Sequence, residues 1–199
     1  MSGNVNDRLA ALPATFTTGE AERAGVWRRE LYRLRGVGGL LELSRGVYRK
    51  ADAPETAYLD LLAVTRRAPR AVVCLVSALS VHDLTDEIPA VVQIAVPRGT
   101  YRPRIDYPPT EVSEFDVDTF ELGRAHLEVS PGEAVPIYGP ARTVVDAMRL
   151  RTRIGPQLAL RGLRLYLARH DARPTELLAY ARALDVEGPI RRAVEAVLS

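Results

Sequence analysis

One cysteine and one lysine stand in 199 residues. A single cysteine, Cys74, rules out an intrachain disulfide, so a cytoplasmic location is expected. Long apolar runs are scarce as well. The longest, Ala71 to Val81, is interrupted by Ser77 and Ser80. It falls short of the ~20 residues a membrane-spanning helix needs, so no membrane partner is expected. The opening MSGNVNDRLAAL has an early acidic residue and lacks the apolar core of a signal peptide. No GxGxxG or P-loop occurs, and His82, His126 and His170 show no ligand spacing with Cys74. Neither a cofactor nor a metal is expected. A nuclease of the Asp…Glu-x-Lys kind would want a lysine beside its carboxylates, whereas Lys50 lies far from the acidic clusters, and the chain is read as no enzyme.

What is present is an ordinary globular composition, 47% hydrophobic and 26% charged, enough for one generous core or two smaller ones. The net charge of +2 conceals a pattern. Residues 1–50 carry nine Arg and Lys against five Asp and Glu, 51–129 carry seven against thirteen, and 130–199 carry eleven against seven. A basic head of this kind suits nucleic acid, although ordinary surface variation gives the same count.

The local signals come in a telling order. Residues 5–12 read as a short helix stopped by Pro13. Thr17 or Thr18 caps a second helix, with Glu20 or Glu22 in its first turn and Gly25 at its end. A third helix, VWRRELYRLRG, places Trp27, Leu31 and Leu34 on one apolar stripe and Arg28, Arg29, Tyr32 and Arg33 opposite. Then GGLLELSRGVYRK reads as a hairpin, with Gly46 taking the positive φ of a tight turn. Leu41, Leu43 and Tyr48 are expected to hold this hairpin to its domain. Helix, helix, turn, helix and hairpin in about 50 residues is the layout of a winged helix-turn-helix. ADAP at 51–54 reads as a linker, and ETAYLDLLAVTRRA as a helix with Tyr58, Leu61, Leu62 and Val64 on one side. Residues 71–84 run from strand into helix. Strands follow at 90–97 and 110–117, with a loop between them and a hairpin around Pro131-Gly132. Helices are expected over 140–151, 156–170, 174–184 and 188–198. The fold class is therefore α+β: an N-terminal winged helix-turn-helix (1–50), then a mixed α/β domain with a helical C-terminal part (55–199).

FTTGEAERAGVWRRELYRLRGVGGLLELSRGVYR resembles the N-terminal domain of the AbiEi antitoxins of type IV toxin–antitoxin (abortive infection) systems, where an RGVY wing recurs. The stretches 75–99, 138–167 and 176–182 resemble that family's second domain, in the same order. The resemblance implies a repressor of its own operon that binds double-stranded operator DNA. The partner it implies is a nucleotidyltransferase-like toxin, which need not form a stable complex with the antitoxin. A stand-alone regulator without a toxin, or an interaction module that neutralises a toxin directly, remains an alternative. Binding as a homodimer or as cooperative monomers both fit, and no dimer helix is visible.

The expected DNA-binding residues are Arg28, Arg29, Tyr32, Arg33 and Arg35 on the third helix, and Arg45, Arg49 and Lys50 on the hairpin. Arginine bonds phosphate or pairs bidentately with guanine, and tyrosine holds phosphate. The competing reading is a solvated helix face, with Glu30 pairing Arg33 or Arg29. Arg142, Arg149, Arg151, Arg153, Arg161 and Arg164 offer a second basic surface for DNA or toxin. Solvated helix faces with one structural Arg142–Asp146 pair explain them equally. Cys74 with His82 is read as burial rather than a nucleophile pair, and Asp83, Asp86 and Glu87 as a solvated helix end.

Overall fold

The computed structural model describes residues 4–198, which form a mixed α+β fold of two sheets and ten α-helices. The chain divides into two compact units. The first runs up to Pro69 and adds Pro103–Thr110 and Glu128–Val135; the second holds Arg70–Arg102, Glu111–Leu127 and the chain from Pro136 onward.

In the first unit the elements are α1 (Val5–Ala10), β1 (Thr15–Thr17), α2 (Thr18–Arg23), α3 (Arg28–Gly36), β2 (Leu40–Ser44), β3 (Val47–Lys50) and α4 (Leu59–Arg67). Thr17 caps α2: its hydroxyl accepts from the Glu20 amide at 3.2 Å, and the Glu20 carboxylate accepts from the Thr17 amide at 2.6 Å. Such a box is worth about 1 kcal/mol. The three strands pair antiparallel in the order β1-β3-β2. Phe16, Val26, Leu31, Leu34, Leu40 and Tyr48 close the core, with Phe16 stacked on Tyr48 at 6.1 Å.

Two details correct the sequence reading here. Trp27 is 61% exposed rather than on the buried stripe. It is the N-cap of α3 with extended backbone, so helical periodicity does not yet apply to it, and Val26 goes inward instead. Leu40, not Leu41, anchors the hairpin: Leu40 is buried, Leu41 is exposed and Leu43 is only partly covered. Tyr48 is buried, as expected. The sequence reading places a division between 50 and 55, whereas the contacts keep 51–54 and α4 inside the first unit. There α4 packs on all three strands, and its residues Leu61 to Thr65 are buried all round.

The second unit contains β4 (Val72–Val73), α5 (Leu75–Val81), β5 (Val92–Pro97), β6 (Thr110–Phe115), β7 (Arg124–Ser130), β8 (Glu133–Tyr138), α6 (Pro140–Arg149), α7 (Arg151–Ile154), α8 (Pro156–Leu167), α9 (Pro174–Ala183) and α10 (Glu187–Leu198), the first residue of β6 and the ends of β7 and β8 around their turn being grouped with the first unit. Its sheet runs β6-β5-β4-β8-β7; β4 is antiparallel to β5 and parallel to β8. The helices enclose a core that includes Leu79, Val144, Val145, Leu163, Leu177 and Ile190.

Candidate nucleic-acid interface

The outer face of α3 is set by how the helix starts. The Trp27 amide donates to Glu30 Oε2 at 2.7 Å, closing the first turn. That phase sends Leu31 and Leu34 inward and leaves Arg28, Arg29, Tyr32, Arg33 and Arg35 exposed. The same hydrogen bond turns Glu30 to the start of its own helix, and it makes no ion pair with Arg29 or Arg33 among the described residues. Among the described residues, Arg29 and Arg33 have no acceptor for their guanidinium groups. Arg28 Nε reaches Glu22 at 3.1 Å while the side chain stays 70% exposed. Arg35 pairs with Glu42 and lies over the Tyr32 ring at 5.3 Å.

The β2–β3 turn sits against the start of α2. Gly46 has φ +76°, and a Cβ there would stand 3.1 Å from Thr18 Oγ1. Its carbonyl accepts from the Thr18 amide at 2.8 Å. The turn is thus held by backbone, and the exposed Arg45 side chain projects from it without a guanidinium partner among the described residues.

The other two cations of the hairpin are placed differently from the sequence expectation, and both are corrected. Arg49 is no surface cation: it is 3% exposed. Its guanidinium donates to Glu133 Oε2 at 2.5 Å, Thr15 Oγ1 at 2.7 Å, the Pro54 carbonyl at 2.6 Å and Ser130 Oγ at 3.2 Å. The segment Glu128–Val135, packed in this unit, brings in Glu133 and Ser130. Burial pushes the Glu133 carboxyl up, but hydrogen bonds from Arg49 and Thr15 outweigh it and hold the pKa below the ordinary value. Lys50 is half-buried and its ammonium donates to the carbonyls of Leu12 at 2.6 Å and Ala10 at 3.2 Å, closing the end of α1.

Between α3, the hairpin turn and the last turn of α4 lies a concavity of about 440 Å³. Arg28, Tyr32 and Arg45 line it, joined by Arg66 and Arg67 from α4. The sequence reading missed these last two; adjacent arginines closing a helix just past a presumed linker are the signal that was there to read.

In the second unit four of the six arginines expected on a basic surface are held in ion pairs. Arg142 is fully buried and bonds Asp146 at 2.8 Å, with its guanidinium 4.4 Å from the centre of the Tyr138 ring. This corrects its placement on a surface and fits the structural pair. Arg149 bonds the other Asp146 oxygen at 2.8 Å. Burial pushes the Asp146 carboxyl up, against the pull of both arginines. Gly123 marks how tightly this site is packed: a Cβ there would meet Arg142 Cβ at 2.6 Å. Arg153 pairs with Glu111 and donates to Ser113, Arg161 pairs with Asp86, and Arg151 donates to the Met148 carbonyl. Arg164 alone of the six is exposed with no acceptor among the described residues.

Cys74 is wholly buried, and burial raises its pKa well above the ordinary thiol value. His82 is partly buried with Nε2 2.7 Å from the Tyr138 carbonyl, and its pKa is lowered chiefly by desolvation. Asp83, Asp86 and Glu87 lie exposed around the end of α5. Among the described residues no group of three or more His, Cys, Asp or Glu is placed to hold a metal ion, and no helix is long and apolar enough to cross a membrane.

The geometry defines an arginine-rich face built from one exposed helix and an adjacent hairpin turn. No protein-family sequence model matches the chain, and no curated protein does. A solved structure similar to it is the crystal structure of RV2827C protein from Mycobacterium tuberculosis, with a TM-score of 0.49 and 18% identity over 98% of this chain and 78% of that one.

Proposed function

We propose that the first unit is a winged helix-turn-helix that binds duplex DNA, with α3 entering the major groove and β2–β3 as the wing. The element order α1-β1-α2-α3-β2-β3, with β1 joining the hairpin, supports this layout. The observation that carries it is the outer face of α3: Arg29 and Arg33 lack partners there, beside Arg28, Tyr32 and the exposed Arg45. Guanidinium groups left without acceptors on a projecting helix match phosphates and guanine edges. The step from duplex binding to transcriptional repression rests on the AbiEi resemblance. With that resemblance the role becomes self-repression by an antitoxin whose partner is a nucleotidyltransferase-like toxin.

The test is a mobility-shift titration of the full chain on DNA from upstream of its own gene, against a scrambled duplex. Specific binding that weakens steeply between 50 and 200 mM salt is expected, because phosphate neutralisation releases counterions. No shift at low salt would sink the proposal. Arg29→Ala with Arg33→Ala should lose about 1–3 kcal/mol for each base-reading contact removed.

A further inference from the structure

The concavity beside α3 offers more than the outer helix face. Four arginines line it, Arg28, Arg45, Arg66 and Arg67, and the carboxylate among them is that of Glu42. Glu42 is already engaged: it accepts from Arg35 and from the Gly46 amide. Two of the arginines also pair with carboxylates outside the lining, Arg28 with Glu22, and Arg66 with Glu20 at 3.6 Å and Glu133 at 4.0 Å. A guanidinium carries five N–H donors, and these pairings use only some of them. Arg67 spends one Nη1 bond on the Arg45 carbonyl at 3.0 Å, an exposed contact between the end of α4 and the hairpin turn. Arg45 and Arg67, whose guanidinium groups face no carboxylate among the described residues, line the hollow together with Arg28 and Arg66. At about 440 Å³ the concavity has room for a phosphate group.

We propose that this hollow seats a backbone phosphate of bound duplex DNA, and that α4 therefore contributes Arg67, oriented beside Arg66, to the DNA-binding surface. The inference rests on the DNA-binding reading above and extends it past the hairpin. A phosphate is the fitting occupant because its oxygens accept several N–H donors at once and guanidinium–phosphate pairing is bidentate. It also lies beside both parts of that reading: Arg28 and Tyr32 belong to the proposed groove-entering helix and Arg45 to the proposed wing.

The seat makes a sequence-independent contact, which sets the experiment. Affinities of the full-length protein for a labelled upstream duplex and for a scrambled duplex are measured by fluorescence anisotropy across a salt series. The wild type is compared with Arg67→Ala and Arg67→Lys. Arg67 is exposed, so circular dichroism and the thermal midpoint should match the wild type. Arg67→Ala should weaken both duplexes by a similar factor, on the order of tenfold at low salt, and flatten the log–log salt slope by about one. Arg67→Lys should recover most of the slope. Unchanged affinity and slope in Arg67→Ala would overturn the phosphate seat while leaving the DNA reading standing, as would a loss confined to the upstream duplex. Failure of the wild type to bind either duplex would overturn both. A parallel calorimetric titration uses inorganic phosphate at fixed ionic strength. No binding is expected; saturable binding in the wild type that Arg67→Ala abolishes would make the hollow a site for a small anion and overturn the DNA assignment.

Discussion

Arg49 and Glu133 place two full charges 2.5 Å apart, each 3% exposed. Desolvating such a pair costs much of what their attraction returns, so its net worth is small. Removing one partner is different, because it strands the other in the interior at about 3–5 kcal/mol. Glu133→Ala should therefore lower the unfolding free energy by about that amount in urea, with Glu133→Gln losing less because its amide keeps one acceptor oxygen for Arg49. A change below 1 kcal/mol in Glu133→Ala would refute the strut. The pH dependence follows from the lowered carboxyl pKa. The stabilisation is complete above the unfolded value near 4.5 and is lost as pH falls through the folded value, so Glu133→Gln should flatten the acid limb of the stability curve. None of this was legible at Arg49 itself: the sequence shows a cation in a basic hairpin, and its burial depends on residues about 80 positions later. Trp27 misleads in the other direction, an indole left in water by the extended backbone before α3. It is the chain's single tryptophan. Its emission should be that of an exposed indole and should shift when DNA covers the start of α3; an unchanged spectrum at saturating duplex would place the bound DNA away from Trp27.

At the scale of elements, the helices and the 38–50 hairpin announced themselves, and β1 did not. The Thr17–Glu20 box is written in the sequence as a threonine three residues before a glutamate, and α2 begins there. Replacing Thr17 by Ala should cost about 1 kcal/mol, with Ser nearly neutral, read by thermal or chemical unfolding. A neutral Thr17→Ala would mean that the box does not hold α2. By contrast β1 is three residues long, too short for alternation to appear, and exists because it pairs with β3. In β2 alternation alone allows two phases, and the buried one runs through Leu40 and Ser44 rather than Leu41 and Leu43. Pairing partners decide burial in a hairpin, and they lie outside any local window.

Across the whole chain, charge counting and charge placement give different answers. The count over 130–199 is as basic as that over 1–50, yet the arginines differ in what they face. In the second unit Arg142, Arg149, Arg153 and Arg161 are each matched to a carboxylate. On α3, the glutamate nearest in sequence is turned to its own helix N-terminus and two arginines are left unmatched. Counterion release requires phosphate to replace solvent ions around a cation, and a guanidinium already neutralised by a carboxylate contributes little to it. Two double variants separate these cases. Arg153→Ala with Arg161→Ala removes exposed but paired arginines and should leave both affinity and salt slope for the upstream duplex unchanged. Arg29→Ala with Arg33→Ala removes unpaired ones and should flatten the slope by up to about 1.8, near 0.9 for each contact that meets phosphate. A reversed outcome, with the slope following Arg153 and Arg161, would move the DNA-binding surface to the second unit. It would do so even if the N-terminal layout were that of a winged helix, because the slope counts the cations that meet phosphate whatever the fold that carries them.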